Sequence, residues 1–205
     1  MAEAGKSNRR ASTNEDTCGP YYPIAFCDGD RMDIVTLHPG LINASAGQPI
    51  ILRGRLIDIN GHLANGALLE FWQANAAGVY RTPAEIGNPG LDPAFEGNAR
   101  CRTADGSFEL RTIKPGASSS MGETRAPNIT LTVFSDGTTR IVTQIFFEGE
   151  PGNDGDALLQ SLPNELRHRL IARRSSEIQA DGDLYTIDIV LAGENETPFF
   201  DDLTS

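Results

Sequence analysis

Asx-Gly pairs, among them Asn60-Gly61, Asp105-Gly106, Asp136-Gly137 and Asp181-Gly182, punctuate the chain between short runs rich in β-branched and aromatic residues. Such dipeptides supply the left-handed backbone that tight turns require, so they mark places where a strand ends and the chain reverses. The runs between them and the neighbouring Gly/Pro-rich excursion at 82–90 are PIILRGRLIDI, ALLEFWQANAAGVY, SFELRTI, NITLTVFS, RIVTQIFFE and LYTIDIVLAG. Strands at this spacing predict an all-β fold, an antiparallel β-sandwich with a loop-rich N-terminal arm and one or two short helices. NITLTVFS alternates throughout: Ile129, Leu131 and Val133 face one side, and Asn128, Thr130 and Thr132 form a polar row on the other. A helical pattern covers Pro163 to Arg173, with proline near the first turn, Leu166 and Leu170 four apart, Ile171 widening the stripe, and arginines toward the negative end of the helix dipole. This helix is expected to lie over one edge of the sandwich.

With 205 residues, 39% of them hydrophobic, the chain has enough material for one substantial core. It divides into an arm and loop region, 1–48, and a sandwich domain, 49–205. In the arm, TCGPYYPIAFCDGD contains Gly19, Pro20 and Pro23, which preclude a regular helix, and Tyr21 and Tyr22 are aromatics suited to anchoring the arm on another surface. A net charge of −11 disfavours nucleic acid and anionic membranes as partners. The first sixteen residues hold no apolar leader-like segment and no apolar run is long enough to span a bilayer, so a soluble, cytoplasmic protein is expected. Cys18, Cys27 and Cys101 are odd in number and lack Cys-x-x-Cys spacing, which predicts reduced, partly buried thiols.

The common catalytic signatures are missing: no phosphate-binding loop, dinucleotide fingerprint, nucleophile elbow or His-Glu-x-x-His. His38, His62 and His168 sit by turns or a surface helix and read as exposed or capping imidazoles. The acidic stretch Glu148 to Asp156 reads as a solvated loop, Phe71 and Trp72 as core, Tyr80 and Tyr185 as core or rim aromatics in strands, and Phe199-Phe200 as part of an exposed apolar surface that a partner covers. Asn128-Ile-Thr130 has two literal readings, a glycosylation acceptor and a pair of donors at i and i+2 on one strand face, where two metal ligands could stand. The expected compartment argues against the first.

LLEFWQANAAGVY, preceded by GRLIDINGHLANGA and followed by LDPAFEGNARCRTADGSFELRTIKPG, resembles the central pattern of the intradiol ring-cleavage dioxygenases. Within them it is similar to the two-chain enzymes that cleave protocatechuate, and the resemblance extends from TCGPYYPI to YTIDIVLAGENETPFFD. It implies a ferric ion held by two tyrosinates and two histidines, a chelated catecholate, and dioxygen as co-substrate. It also implies histidines at the positions of Asn128 and Thr130, a first tyrosine near Gly87, before the Leu-Asp-Pro of GNPGLDPAF, and a second near Ser118, just after IKPG. None of these four residues is such a ligand, so the resemblance implies a chain without metal, whose homologous beta subunit carries the Fe(III). By the same resemblance Thr17, Gly19, Pro20 and Tyr21 line the partner's substrate pocket, and Arg125 and Arg140 are candidates to contact the substrate carboxylate. The sequence departs from alpha-type chains at Asp136, where they carry arginine, and Arg125 matches the arginine of the catalytic-chain histidine motif. Two alternatives stand beside this reading: a stand-alone non-catalytic sandwich that binds or carries a ligand, and an enzyme with a rearranged metal site, which would need at least three clustered donors.

Overall fold

Alternation sets the core. In the computed structural model β1 (Pro49–Ile57) turns Ile50, Leu52 and Leu56 inward, and β7 (Asn128–Ser135) does the same with Ile129, Leu131 and Val133. The structure describes residues 45–200 except 104, 121–122, 136–138 and 178, with backbone alone for Ser120, Thr139 and Arg140; the arm bearing Thr17, Gly19, Pro20 and Tyr21 lies outside these residues.

β1 is flanked by β4 (Ser107–Ile113), antiparallel, and β10 (Asp183–Val190), parallel. In the facing sheet β2 (Leu68–Gln73) runs between β3 (Asn98–Arg102) and β7, and β7 pairs with β8 (Thr139–Phe147), all antiparallel. The short β9 (Ile171–Arg174) joins the halves, parallel to β8 through Ile171 and Ala172 and antiparallel to β10 through Arg173 and Arg174. The order is therefore β3-β2-β7-β8-β9-β10-β1-β4, with a separate ribbon of β5 (Ser118–Ser120) and β6 (Glu123–Arg125). The all-β sandwich read from the sequence is present, and two of its pairings are parallel rather than antiparallel.

Phe71, Leu69, Leu110, Ile145 and Phe147 fill the space between the sheets, with Phe71 tilted on Phe108 at 5.3 Å and Phe147 edge-on to Tyr185 at 5.1 Å. Buried Gln73 ties the sheets together: its amide donates to the Ile113 carbonyl at 2.9 Å and accepts from the Thr112 hydroxyl at 3.0 Å. Cys101 belongs to this core, and burial pushes its thiol up to about 11. In a Cys18→Ser/Cys27→Ser background the native protein is expected to resist thiol reagents at neutral pH and to react fully once denatured, because the thiolate is the nucleophile. Rapid native labelling would contradict the burial.

The helical segment differs from expectation. α1 (Ala157–Ser161) and α2 (Asn164–Arg167) are followed by a single 3-10 turn, His168–Leu170, and the chain is extended from Ile171 onward. The Leu166–Leu170 spacing is helical, but the strand-bridging pairings of Ile171 and Ala172 with β8 override the continuation of the stripe. Leu170 and Leu159 instead seal a second, smaller core with Ala126 and Phe146 on the outer face of β8. Phe199 and Phe200 also correct the sequence reading. Phe199 packs on the main core, while Phe200 packs on the smaller one and bonds through its backbone N–H to the Val142 carbonyl at 2.8 Å, so both are half-buried within the chain. The large apolar side chains most exposed among the described residues are Ile59, Leu63 and Ile86.

Candidate functional site

The polar row of β7 lies on the face of its sheet away from the core, and it is covered rather than solvated: Asn128 is 4% and Thr132 7% exposed. Register places Trp72, Thr130 and Gln144 side by side across β2, β7 and β8, with Asn128 opposite Phe146 and Thr132 opposite Glu70. Glu70 is itself buried and paired with Arg100 of β3, whose Nε donates to it at 2.8 Å. The Asn128 amide donates to the Ala126 carbonyl at 2.7 Å, so this side chain is neither an accessible glycosylation acceptor nor a free amide.

Two loops close over the row. After Gln73 strand geometry stops, short of the Tyr80 to which the strand-like run extends, because the Asn75 side chain captures the backbone. Its Oδ1 accepts from the N–H groups of Ala77 at 2.9 Å and Val79 at 3.0 Å, and its amide donates to the Gly90 carbonyl at 2.8 Å. This turn lays Tyr80 on Trp72 with ring centroids 4.7 Å apart. Trp72 is thus half-buried in the site wall, while Phe71, its neighbour, takes the core position. The second loop follows Ile113: Gly116 N–H donates to the Asn75 carbonyl at 2.9 Å, and the chain enters β5 at buried Ser118. Gly78 and Gly116 make this approach possible, since a Cβ on Gly78 would stand 1.9 Å from the Ala117 carbonyl oxygen. Burial pushes the Tyr80 phenol above its ordinary range, partly offset by the charge of Arg125 and a hydrogen bond with Ser118.

Arg125 stands opposite Ser118 in the β5–β6 ribbon. Its Nε donates to Asp156 Oδ2 at 2.9 Å and its Nη2 to Gln144 Oε1 at 2.6 Å. Asp156, 0% exposed, also accepts from the N–H of Ala126 at 2.9 Å and of Leu159 at 3.0 Å, capping α1. The stretch Glu148 to Asp156 is solvent-exposed over most of its length, as at Glu148 and Asp154, but Glu148, Glu150 and Asp156 are engaged and it ends on a buried carboxylate. Asp156 is a buried hub, Glu150 pairs with Lys114, and Glu148 accepts from the Arg174 N–H at 2.9 Å.

Of the residues singled out from the sequence, the structure brings Ser118, Arg125, Asn128 and Thr130 into one neighbourhood, together with Tyr80, Trp72, Gln144 and Asp156. Gly87 sits on an exposed turn at φ +93°, with open space for 4 Å around the point where a Cβ would stand. Arg140 is the second residue of β8, opposite Phe134, four residues and about 13 Å of strand from Gln144. His62 and His168 are exposed, and His38 lies outside the described residues. Among the described residues no group of three or more His, Cys, Asp or Glu side chains stands together as a metal site, and no helix is long and apolar enough to cross a membrane. Asp156 before Ala-Leu-Leu-Gln is a recognisable helix N-cap signal; the Arg125–Asp156 pair, 31 residues apart, has no local one.

The model of the family described as "Dioxygenase" matches residues 18–193. The chain is 38% identical over 159 residues to a protocatechuate 3,4-dioxygenase beta chain of Burkholderia cepacia, covering 74% of this chain and 68% of that one. It is 34% identical over 200 residues to a protocatechuate 3,4-dioxygenase alpha chain of Pseudomonas putida, covering 92% and 96% respectively. Among solved structures, the dioxygenase domain of a dioxygenase and carbohydrate-binding protein fusion from Streptomyces sp. SirexAA-E superposes with a TM-score of 0.62 at 28% identity, covering 86% of this chain and 95% of that one. The chain belongs to the dioxygenase family, in its intradiol branch. Its relatives include both chain types of the protocatechuate enzymes, and the alpha chains match it over nearly their whole length.

Proposed function

We propose that this chain is an alpha-type subunit of a heteromeric protocatechuate 3,4-dioxygenase, that it binds no iron, and that it shapes the substrate pocket of a homologous beta subunit carrying the Fe(III). The reaction would be intradiol cleavage of protocatechuate by dioxygen to 3-carboxy-cis,cis-muconate, a step of aromatic degradation in the beta-ketoadipate pathway. The observation that carries this reading is the donor set on β7 and β5. Ser118, Asn128 and Thr130 offer two neutral hydroxyls and an amide whose nitrogen is already committed to Ala126. Ferric iron in this chemistry calls for phenolate and imidazole donors, and these residues do not fit it. Near-complete coverage of alpha chains supports the assignment of type.

In this reading the chain contributes position, not bond-making. Arg125 would offer the substrate carboxylate little, because its charge is already matched by Asp156 and its Nη2 is held by Gln144. The pocket wall is assigned to Thr17, Gly19, Pro20 and Tyr21 of the arm, with Arg140 as the other arginine candidate. Coexpression with a homologous chain bearing both tyrosines and both histidines is expected to yield a complex that cleaves protocatechuate. In that complex Tyr21→Ala should lower kcat/KM by about 1–3 kcal/mol with iron content intact, through loss of ring positioning. Failure of the two chains to copurify, or full activity of the partner without this chain, would overturn the proposal.

A further inference from the structure

A groove of about 1100 Å³ lies on the β4–β1–β10 side of the molecule and is far more basic than the chain as a whole. Five arginines line it, Arg53, Arg55, Arg102, Arg169 and Arg173, against three carboxylates, Asp105, Glu109 and Asp188. Arg53 is matched by Glu109 at 2.7 Å and Arg55 by Asp188 at 2.6 Å. Asp105 is turned to its own loop, accepting from the Ser107 N–H at 3.0 Å. Arg169 donates to the neutral carbonyls of Glu194 at 3.1 Å and Glu196 at 2.9 Å and so keeps its charge. Arg102 and Arg173 are exposed and pair with no carboxylate among the described residues. Asp105 likewise keeps its charge, so among the described residues three guanidinium groups face one carboxylate that no arginine pairs, leaving the groove at about +2 in a chain whose net charge is −11.

We infer that this groove is a docking surface for an acidic polypeptide segment of a partner protein. Guanidinium groups recognise carboxylates through paired N–H donors. Between them Ile171, Ile187, Val190 and Phe108 supply apolar wall, so the surface suits a strand or loop that alternates acidic and apolar side chains. Arg55 and Arg53, at 58% and 40% side-chain exposure, stay in contact with solvent, whereas sites for small ligands enclose most of their occupant. The overall negative charge opposes nucleic acid as the occupant. The inference does not depend on the subunit assignment above.

The test is binding of a fluorescein-labelled peptide alternating glutamate and leucine, followed by anisotropy. The intact chain should bind it, and raising salt from about 0.05 to 0.5 M should weaken binding as the charges are screened. Arg102→Glu/Arg173→Glu should lower affinity by about tenfold or more, and Arg102→Gln/Arg173→Gln by less, as expected for desolvated charge pairs at an interface. Both pairs are surface changes, and unaltered thermal midpoints would separate lost docking from lost folding. No binding by the intact chain, or binding indifferent to both variants, overturns the inference. So does full competition by free glutarate at equal concentration, which would make the groove a small-molecule site. Equal binding of a duplex DNA would do the same, and so would self-association in sedimentation that the charge reversal abolishes while peptide binding persists, since the occupant is then a second copy.

Discussion

Asp156→Ala is expected to destabilise the fold by about 3–5 kcal/mol, the range seen when one partner of a buried ion pair is removed. The carboxylate is fully buried and serves three donors from two separate elements, the Arg125 guanidinium and Ala126 N–H on one side and the Leu159 N–H of α1 on the other. Alanine leaves a guanidinium without its counter-charge and two buried N–H groups without acceptors, a combination that repacking cannot satisfy. Asp156→Asn keeps an oxygen for the helix cap but loses the charge, so it should fall between alanine and wild type. Urea unfolding decides: a change in stability below about 1 kcal/mol for alanine would mean that the hub does not hold β6 to α1. Because Arg125 bonds Gln144 beside Thr130, the same variant should also disorder the site wall.

A second large effect is expected at Gly78. Its φ of +79° costs any other residue strain, and a Cβ there would meet the Ala117 carbonyl oxygen at 1.9 Å and its carbon at 2.8 Å. The loops at 75–78 and 115–117 would have to part, breaking the Gly116-to-Asn75 hydrogen bond, so Gly78→Ala should lose about 3 kcal/mol or more. Gly61→Ala is the comparison. Its φ of +81° is nearly the same, but no atom lies within 4 Å of the added carbon, so only the backbone strain of about 1–2 kcal/mol applies. Trp72 is the one tryptophan of the chain and lies against Tyr80, so its emission reports directly on the site. Gly78→Ala should shift that emission in the folded protein, and Gly61→Ala should not. Equal losses for the two variants would remove steric approach as the reason for Gly78.

The β7 pattern is legible in the sequence because a strand has period two, and Ile129, Leu131 and Val133 have to share a face whatever packs against them. The polar row opposite is legible as a row, though not as buried. What covers it depends on the Asn75 turn and on Arg125 reaching Asp156, and contacts between distant segments leave no periodic trace. In the sequence Asp156 is one acid among several for the same reason. β9 illustrates the converse case: a locally helical stripe ends where two sheets need a bridging strand, so tertiary pairing overrides local preference at Ile171. The Phe199-Phe200 pair reads as a surface feature because apolar residues near a chain end have no visible partner in sequence, whereas the fold supplies one through Val142 and the two cores. That Asn128, Thr130 and Ser118 are neither histidine nor tyrosine can be read directly, since it rests on residue identity; their convergence with Tyr80, Trp72 and Gln144 requires the register of three strands.

Iron content tests the central claim most directly. The chain should be expressed alone in iron-supplied medium, purified without chelators, and measured for bound iron and for visible absorbance, which tyrosinate-to-iron charge transfer would produce. The account predicts a colourless protein with iron far below one per chain, and a coloured, iron-bearing complex when the homologous chain with both tyrosines and both histidines is coexpressed. Near-stoichiometric iron with visible absorbance in the isolated chain would contradict it.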